Sequence, residues 1–313
     1  MARASNPDRP RIRRGEEESR PHPKTPRRRL GVPVFHFLVN PQRADACEAA
    51  LDTAKWLSGL GVQVLFHHEA GKMLQQPSVG PAEFGDADLV VTFGGDGTLI
   101  QAAQACTEKD TPILGVYYGR FGFVTQCDPQ EVRGAIRQFL DGESEIDERM
   151  MLKGELVRND EVVATLHALN EVALQRSIAT RMMIFNVSID WEQVTSYPAD
   201  GILVATPTGS TAYSLSAGGP IVDPRVKAMV LTPITPHSLG ARPLVLAPES
   251  RVDLSVDLRG DAVFSSDGQS RLNLLTGDRV IVSRSDRVTR LVQVDRSDFL
   301  LKLRTRLLWG ARS

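Results

Sequence analysis

The chain has 313 residues, 42% hydrophobic and 24% charged, with a net charge of −1, the balance of a globular chain long enough for one large domain or two ordinary ones. No run approaches the ~20 apolar residues of a membrane helix, no apolar h-region marks a secretory signal, and the three scattered cysteines, Cys47, Cys106 and Cys127, lack metal-ligand spacing. The setting expected from this is a reducing cytoplasm, with no membrane partner.

Charge is unevenly placed. Residues 1–30 hold ten Lys or Arg against four Asp or Glu, a charge of +6, which leaves −7 on the remainder. This segment carries Pro7, Pro10, Pro21, Pro23 and Pro26 and few apolar residues, so it reads as a disordered basic tail. A basic arm is a possible nucleic-acid element, but no aromatic is interleaved to stack on bases, and the acidic remainder argues against a nucleic-acid partner.

From Val32 to about Leu140 strands and helices alternate. Val34–Val39 reads as a strand closed by Asn40-Pro41. Ala46–Leu60 has helical spacing, with Ala50, Leu51, Ala54, Leu57 and Leu60 on one face, and Gly61 ends it. Val62–Phe66, Leu89–Val91 and Pro112–Val116 read as further strands, and Glu131–Leu140 as a helix. This alternation predicts an α/β nucleotide-binding domain, a parallel sheet with flanking helices, over 31–140. Beyond Asp141-Gly142 short alternating runs take over, including a hairpin turning at Asn159-Asp160 and strands at Met183–Ile189, Arg251–Val256, Val280–Val282 and Leu291–Val294. They predict a C-terminal all-β, sandwich-like domain over 141–296. Phe299–Trp309 returns to helical spacing, and 297–313 is expected to dock as a helix on the first domain.

Phe93-Gly94-Gly95-Asp96-Gly97-Thr98 joins the Leu89–Val91 strand to a helical run from Leu99. Glycines let backbone approach a phosphate, and a helix start presents free N–H groups to it. A carboxylate inside such a turn, Asp96, suits holding a metal ion or taking a proton from an attacking hydroxyl. The loop lacks the Gly-Lys-Ser/Thr ending of a P-loop. It also fails G-x-G-x-x-G, because the sixth position from Gly95 is Ile100. Cys106, among alanines on the helix, reads as a small core residue.

A second stretch runs from Asp200 to Pro220, in which the strand Ile202–Ala205 enters a loop of small hydroxyl residues and glycine. Such a loop allows close backbone approach and suits a flat polar ligand such as adenine or nicotinamide, or else it is a Ser/Thr-rich turn before a capped helix. Asn170-Glu171, an amide and an acid between Leu169 and Val172, suits sugar hydroxyls. The histidines form no H-E-x-x-H spacing, and Ser214 and Ser216 lack a G-x-S-x-G elbow.

GGDGT, Asn170-Glu171, the stretch from Asp200 to Pro220, and Thr232–His237 followed by Arg242-Pro243 together resemble the NAD kinase family from Val32 to Trp309. GGDGT alone is shared with phosphofructokinases and lipid kinases, whereas Thr206–Pro220 is far more specific. The resemblance implies an active site between the two domains, the second of them binding NAD. It implies phosphoryl transfer from ATP or another polyphosphate donor to the 2′-hydroxyl of the adenosine ribose of NAD, giving NADP. It further implies a divalent cation, usually magnesium, and a homodimer or homotetramer. By position, Asp96 is then the proton acceptor, Gly97 lies beside the dinucleotide, and Gly94 and Gly95 sit against the donor phosphates. Asn170 and Glu171 contact the dinucleotide, Glu171 through a ribose, with Arg181 a further contact and Asp200 on the nicotinamide amide. Thr211, Ala212, Tyr213, Ser214, Leu215 and Ser216 hold the adenine side, and Gln269 is a late contact near a neighbouring chain. The resemblance assigns no protein metal ligand. His237 is a motif residue with a catalytic or a structural role.

Three positions depart from the pattern. Tyr117 stands where the family has Asn, Phe121 where it has Leu, and Pro198 where some members have Arg. Two other readings stay open: a lipid or sugar kinase sharing only GGDGT, which leaves Thr206–Pro220 unexplained, and a dinucleotide-binding sensor without turnover, against which Asp96 argues.

Overall fold

The computed structural model describes residues 31–119, 122–125, 127–177, 182–257, 260–294 and 299–307. The expectations for the tail (1–30), Arg181 and Phe121 lie outside the described residues.

The first unit runs β1 (Val34–Val39), α1 (Ala44–Gly59), β2 (Gln63–His67), α2 (His68–Leu74), β3 (Ser78–Val79), β4 (Leu89–Gly94), α3 (Asp96–Cys106), β5 (Ile113–Tyr117) and α4 (Val132–Leu140). Its strands are parallel, in the order β3-β2-β1-β4-β5. Helices cover both faces, so β4 is buried along its whole length. Leu89, Val91 and Phe93 pack with Ala50 and Leu57 of α1 and Ile136 and Phe139 of α4, while Val90 packs with Leu99, Ala103 and Cys106 of α3. Each such Val or Leu contributes roughly 1.5–3 kcal/mol. The buried face of α1 adds Ala46, Cys47 and Thr53 to the expected residues, while Leu51 is half-buried and Leu60, at the C-cap, is 48% exposed. The short α2 and β3, with too few residues to show a period, were not legible as elements.

The remaining strands are β6 (Glu145–Arg158), β7 (Glu161–Ala168), β8 (Glu171–Arg176), β9 (Met183–Ile189), β10 (Glu192–Ala199), β11 (Gly201–Ala205), β12 (Met229–Ile234), β13 (Leu244–Leu246), β14 (Val252–Asp257), β15 (Ala262–Ser266), β16 (Ser270–Asn273) and β17 (Arg279–Gln293). One turn of helix, α5 (Tyr213–Ser216), follows β11, and α6 (Phe299–Arg306) follows β17. A six-stranded antiparallel sheet, β13-β12-β11-β8-β15-β16, faces β10-β9-β14-β17 with β6 and β7. Leu174, Ile202, Leu231 and Phe264 from one sheet meet Phe185, Val187, Leu254 and Val280 from the other, which makes the second unit a sandwich.

The two expected strands at Val280–Val282 and Leu291–Val294 are one strand, β17, paired with β6 from Arg279 to Gln293 with an irregularity between Arg284 and Val288. The polar run between the two apolar ends reads as a break in sequence, yet β6 pairs with it on both sides of the irregularity, at Ser283 and Arg284 and again from Val288. One end of β17 sits in the sandwich core through Val280 and Val282. The other pairs with β5 at Leu291 and Ile113, and places Val292 beside Ile146 in the first core. The irregularity lets one ribbon serve both cores.

Candidate functional site

The chain leaves β1 toward β2 and β3, then returns to β4 on the other side of β1. In an open parallel sheet this reversal opens a crevice at the carboxyl ends of the two strands. A cleft of about 400 Å³ lies there, lined by Asn40, Pro41 and Gln42 after β1, by Gly95, Gly97, Thr98 and Gln101 of the β4–α3 turn, by His67 and Glu69, and by Gln269 from the second unit. The predicted Gly95, Gly97 and Gln269 therefore meet at one cleft.

The glycines of the turn have different causes. A Cβ on Gly94 would stand 2.2 Å from Thr98 Oγ1, so internal packing demands glycine there. A Cβ on Gly95 or Gly97 would meet nothing within 4 Å. Their bare backbone faces open space beside the N–H groups of Asp96 and Gly97, which precede the first intrahelical bonds of α3, from Thr98 N and Leu99 N to Gly95 O. That is the geometry of an anion site at a helix start.

Asp96 is the first residue of α3, and loop 122–125 engages its carboxylate. Oδ1 accepts from Val124 N (3.3 Å), Thr125 N (2.9 Å) and Thr125 Oγ1 (3.0 Å), and Oδ2 accepts from Phe123 N (2.8 Å). A Cβ on Gly122 would lie 1.8 Å from Oδ1, so only glycine admits the carboxylate. On the far side of the loop the buried Lys302 of α6 donates from Nζ to Phe123 O at 3.5 Å.

Asn170 and Glu171 are each 7% exposed, and Asn170 Oδ1 and Glu171 Oε2 are buried acceptors without a hydrogen-bond partner. Orphaned buried acceptors are costly, so each of the two calls for a donor. Burial, and next the charge of Asp267, push the Glu171 carboxyl up to about 8, while the Tyr213 backbone N–H pulls it back. The shift favours the protonated form of Glu171, in which one oxygen donates and the other accepts.

Gly209 of the hydroxyl-rich loop packs on this segment, since a Cβ there would stand 2.1 Å from Asn170 O. Most hydroxyls of the loop are taken up by partners within the protein. Thr206 Oγ1 donates to Leu169 O (2.6 Å), Thr211 Oγ1 to Thr208 O (3.1 Å), Ser210 Oγ to Pro207 O (2.6 Å), and Ser214 Oγ pairs with Thr232 Oγ1 (3.2 Å). Arg149, with a side chain 10% exposed, ties the loop to β6 by donating to Thr208 Oγ1 at 3.3 Å. Ala212, Tyr213, Leu215 and Ser216 form α5 and its cap, and Gln175 Nε2 donates to the Tyr213 hydroxyl at 2.6 Å. Asp200 pairs with Arg176 at 2.7 Å and accepts from Thr235 Oγ1 at 3.0 Å. The Arg176 guanidinium holds its carboxyl below the usual range, with Thr235 adding to the effect.

Sequence reasoning passed over Asp267, Gly122, Thr125 and Arg176. Asp267 stood in Ser-Asp-Gly, a sequence that signals only a turn. Tyr117 donates its hydroxyl to Asp128 Oδ2 at 2.8 Å, which gives this departure from the family pattern a structural partner. Pro198 sits on β10, at the end of its sheet, where a missing N–H is tolerated. His237 donates its backbone N–H to Pro198 O at 2.8 Å. All three cysteines are free and buried, and burial pushes the Cys106 thiol up to about 12. Among the described residues no three His, Cys, Asp or Glu side chains cluster as a metal cage, and no helix is long and apolar enough to cross a membrane.

Residues 35–144 match the family described as the ATP-NAD kinase N-terminal domain, and residues 169–294 the family described as the ATP-NAD kinase C-terminal domain. The chain is 39% identical over 288 residues to a Citrifermentans bemidjiense protein named NAD kinase, covering 90% of this chain and 99% of that one. It is 37% identical over 275 residues to a Desulforamulus reducens protein of the same name, covering 87% and 96%. The fold is similar to that of yeast NADH kinase in complex with NADH, with a TM-score of 0.82 at 26% identity over 90% of this chain and 89% of that one. An Archaeoglobus fulgidus NAD kinase in complex with ATP gives a TM-score of 0.67 at 24% identity over 88% and 96%, a likeness of fold.

Proposed function

The chain belongs to the NAD kinase family, and on that footing we propose that it transfers the terminal phosphoryl group of ATP, or of another polyphosphate, to the 2′-hydroxyl of the adenosine ribose of NAD, with Asp96 as proton acceptor. It is a phosphotransferase of that family. The observation that carries the site assignment is the bare backbone of Gly95 and Gly97 at the start of α3, on either side of an anchored carboxylate and facing a cleft between the two units. Gly94 and Gly95 take the donor phosphates in this reading.

Phosphoryl transfer passes through a loose transition state, so position and charge matter more than a strong base. Four donors fix the Asp96 carboxylate, and Oδ2 carries only one of them. A carboxylate oxygen has two lone-pair sites, so Oδ2 is the atom with room for the ribose hydroxyl. As the ribose oxygen bonds to the terminal phosphorus and the bond from that phosphorus to the bridging oxygen breaks, releasing ADP, the hydroxyl proton passes to Oδ2. The orphaned acceptors of Asn170 and Glu171 take hydroxyls of the dinucleotide. Asp200, with Arg181 and Thr211 to Ser216, completes its binding as the family pattern implies, and Gln269 reaches the cleft from the β15–β16 turn.

The donor set does not fit a resident metal held by the protein alone, since no three-ligand cluster exists among the described residues. Magnesium, which keeps few protein ligands and binds phosphate oxygens well, arrives in this reading as the ATP complex. The same family reading gives a homodimer or homotetramer, which light scattering tests, and a cytoplasmic setting suited to three free cysteines.

The test is NADP formation from NAD, ATP and magnesium, read with an NADP-specific dehydrogenase. Asp96→Asn is expected to lower kcat by ~10²-fold or more with NAD still bound. Normal turnover by that variant removes Asp96 from the proton transfer. No turnover by the wild type with ATP or polyphosphate, despite NAD binding, supports a sensor instead.

A further inference from the structure

The β15–β16 hairpin turns through Asp267, Gly268 and Gln269, with Asp267 at φ +51 and Gly268 at φ +66. Aspartate tolerates this left-handed region better than most side chains, and a non-glycine residue held there points to a local constraint. The constraint is visible. Asp267 Oδ1 accepts from the backbone N–H groups of Asn170 (2.7 Å) and Glu171 (3.1 Å), and Oδ2 accepts from Leu169 N (2.9 Å) and Gln104 Nε2 (3.3 Å). In return Asp267 N donates to Glu171 O at 2.9 Å. Three consecutive peptide N–H groups thus converge on one buried carboxylate. Gln104, on the helix that Asp96 begins, joins it from the other unit. Two residues on, Gln269 reaches the cleft beside Gly95 and Gly97.

We infer that Asp267 is a positioning residue for the dinucleotide: by gathering the N–H groups of Leu169, Asn170 and Glu171 it sets the direction in which Asn170 and Glu171 present their open acceptors, and through Gln104 it ties that direction to α3. The inference rests on the proposed NAD kinase activity. The carboxylate is the right group for the task. It only accepts, and the three backbone N–H groups around it only donate, with the Gln104 amide turned to donate as well. Burial pushes its carboxyl up while the backbone N–H groups pull it back, and its charge in turn favours the neutral form of Glu171. An amide cannot replace it. Whichever way Asn is turned at 267, its NH₂ faces at least one backbone N–H, that of Leu169 on one side or those of Asn170 and Glu171 on the other.

The experiment compares wild type, Asp267→Asn and Gln104→Ala in the NADP assay, varying NAD and ATP in turn, with thermal melts of each. A role confined to holding the hairpin together lowers the amount of folded protein, and with it kcat, but leaves both KM values where they were. Positioning raises KM for NAD alone: at least tenfold for Asp267→Asn and at least threefold for Gln104→Ala, with KM for ATP within twofold. A smaller rise, or an equal rise for both substrates, overturns the inference. Gln104→Ala decides by the same threefold threshold if Asp267→Asn does not fold. A wild type that makes no NADP fails the activity proposal instead, and the same threshold is then read in the Kd for NAD by calorimetry.

Discussion

Asp96 and Thr125 meet at a single oxygen: Oδ1 of Asp96 accepts both the backbone N–H of Thr125, at 2.9 Å, and its hydroxyl, at 3.0 Å. Thr125 is fully buried, so this double contact is shielded from water, where charge-assisted hydrogen bonds are strongest. Oδ2, by contrast, accepts from a single donor, Phe123 N.

Thr125→Val keeps the shape and removes the hydroxyl donor. A hydrogen bond to a charged group contributes about 1.5–3 kcal/mol, so the carboxylate is expected to be less well held. kcat should fall about tenfold, with KM for ATP unchanged and a melting point lowered by only a few degrees. Steady-state kinetics and a thermal melt check both parts.

Gly122→Ala and Gly209→Ala test two close approaches. The first places a methyl 1.8 Å from Asp96 Oδ1, the second 2.1 Å from Asn170 O. The atom in the way at Gly122 is the end of a side chain, so Gly122→Ala is expected to displace the Asp96 carboxylate and cut kcat at least tenfold with a small change in melting temperature. The neighbour of Gly209 is backbone at the start of β8, so Gly209→Ala is expected to destabilise the fold by about 1–3 kcal/mol, the range of core overpacking. Denaturant titration of the two variants should rank them in that order.

Glu171 makes stability depend on pH. Its carboxyl sits at about 8 in the folded chain against an ordinary 4.5, so between those values the folded protein holds a proton that the unfolded chain has lost. Stability therefore falls as pH rises through this window and levels off above about 8, with a slope of at most about 1.4 kcal/mol per pH unit. Glu171→Gln removes this contribution. Unfolding curves at pH 5, 6, 7 and 8 should show a shallower decline for the variant than for the wild type.

The Arg176–Asp200 pair joins β8 to the start of the β11 stretch, and Arg176 holds the Asp200 carboxyl low. The carboxylate therefore persists on acidification to pH 5. Asp200→Asn is expected to raise KM for NAD several-fold at every pH from 5 to 8, with little effect on KM for ATP. Initial rates at saturating ATP measure this.

The sequence by itself determined the alternating strands and helices of the first unit, the strand-rich second unit, and the two glycine-bearing stretches that carry the family resemblance. Those are local signals: burial on both faces writes an unbroken apolar run such as Leu89–Val91, and a turn that brings backbone close to its neighbours writes glycine. Partners were another matter. Asp96 bonds to Thr125, 29 residues away, and Asp267 to Asn170, 97 residues away. No period or spacing encodes such pairs, because they exist only once β4 lies beside β5 and β15 beside β8. The join of the two units was hidden for the same reason. Ser283 to Arg290 is a polar run that reads as a break, and only pairing with β6 makes it the middle of one strand that belongs to both cores.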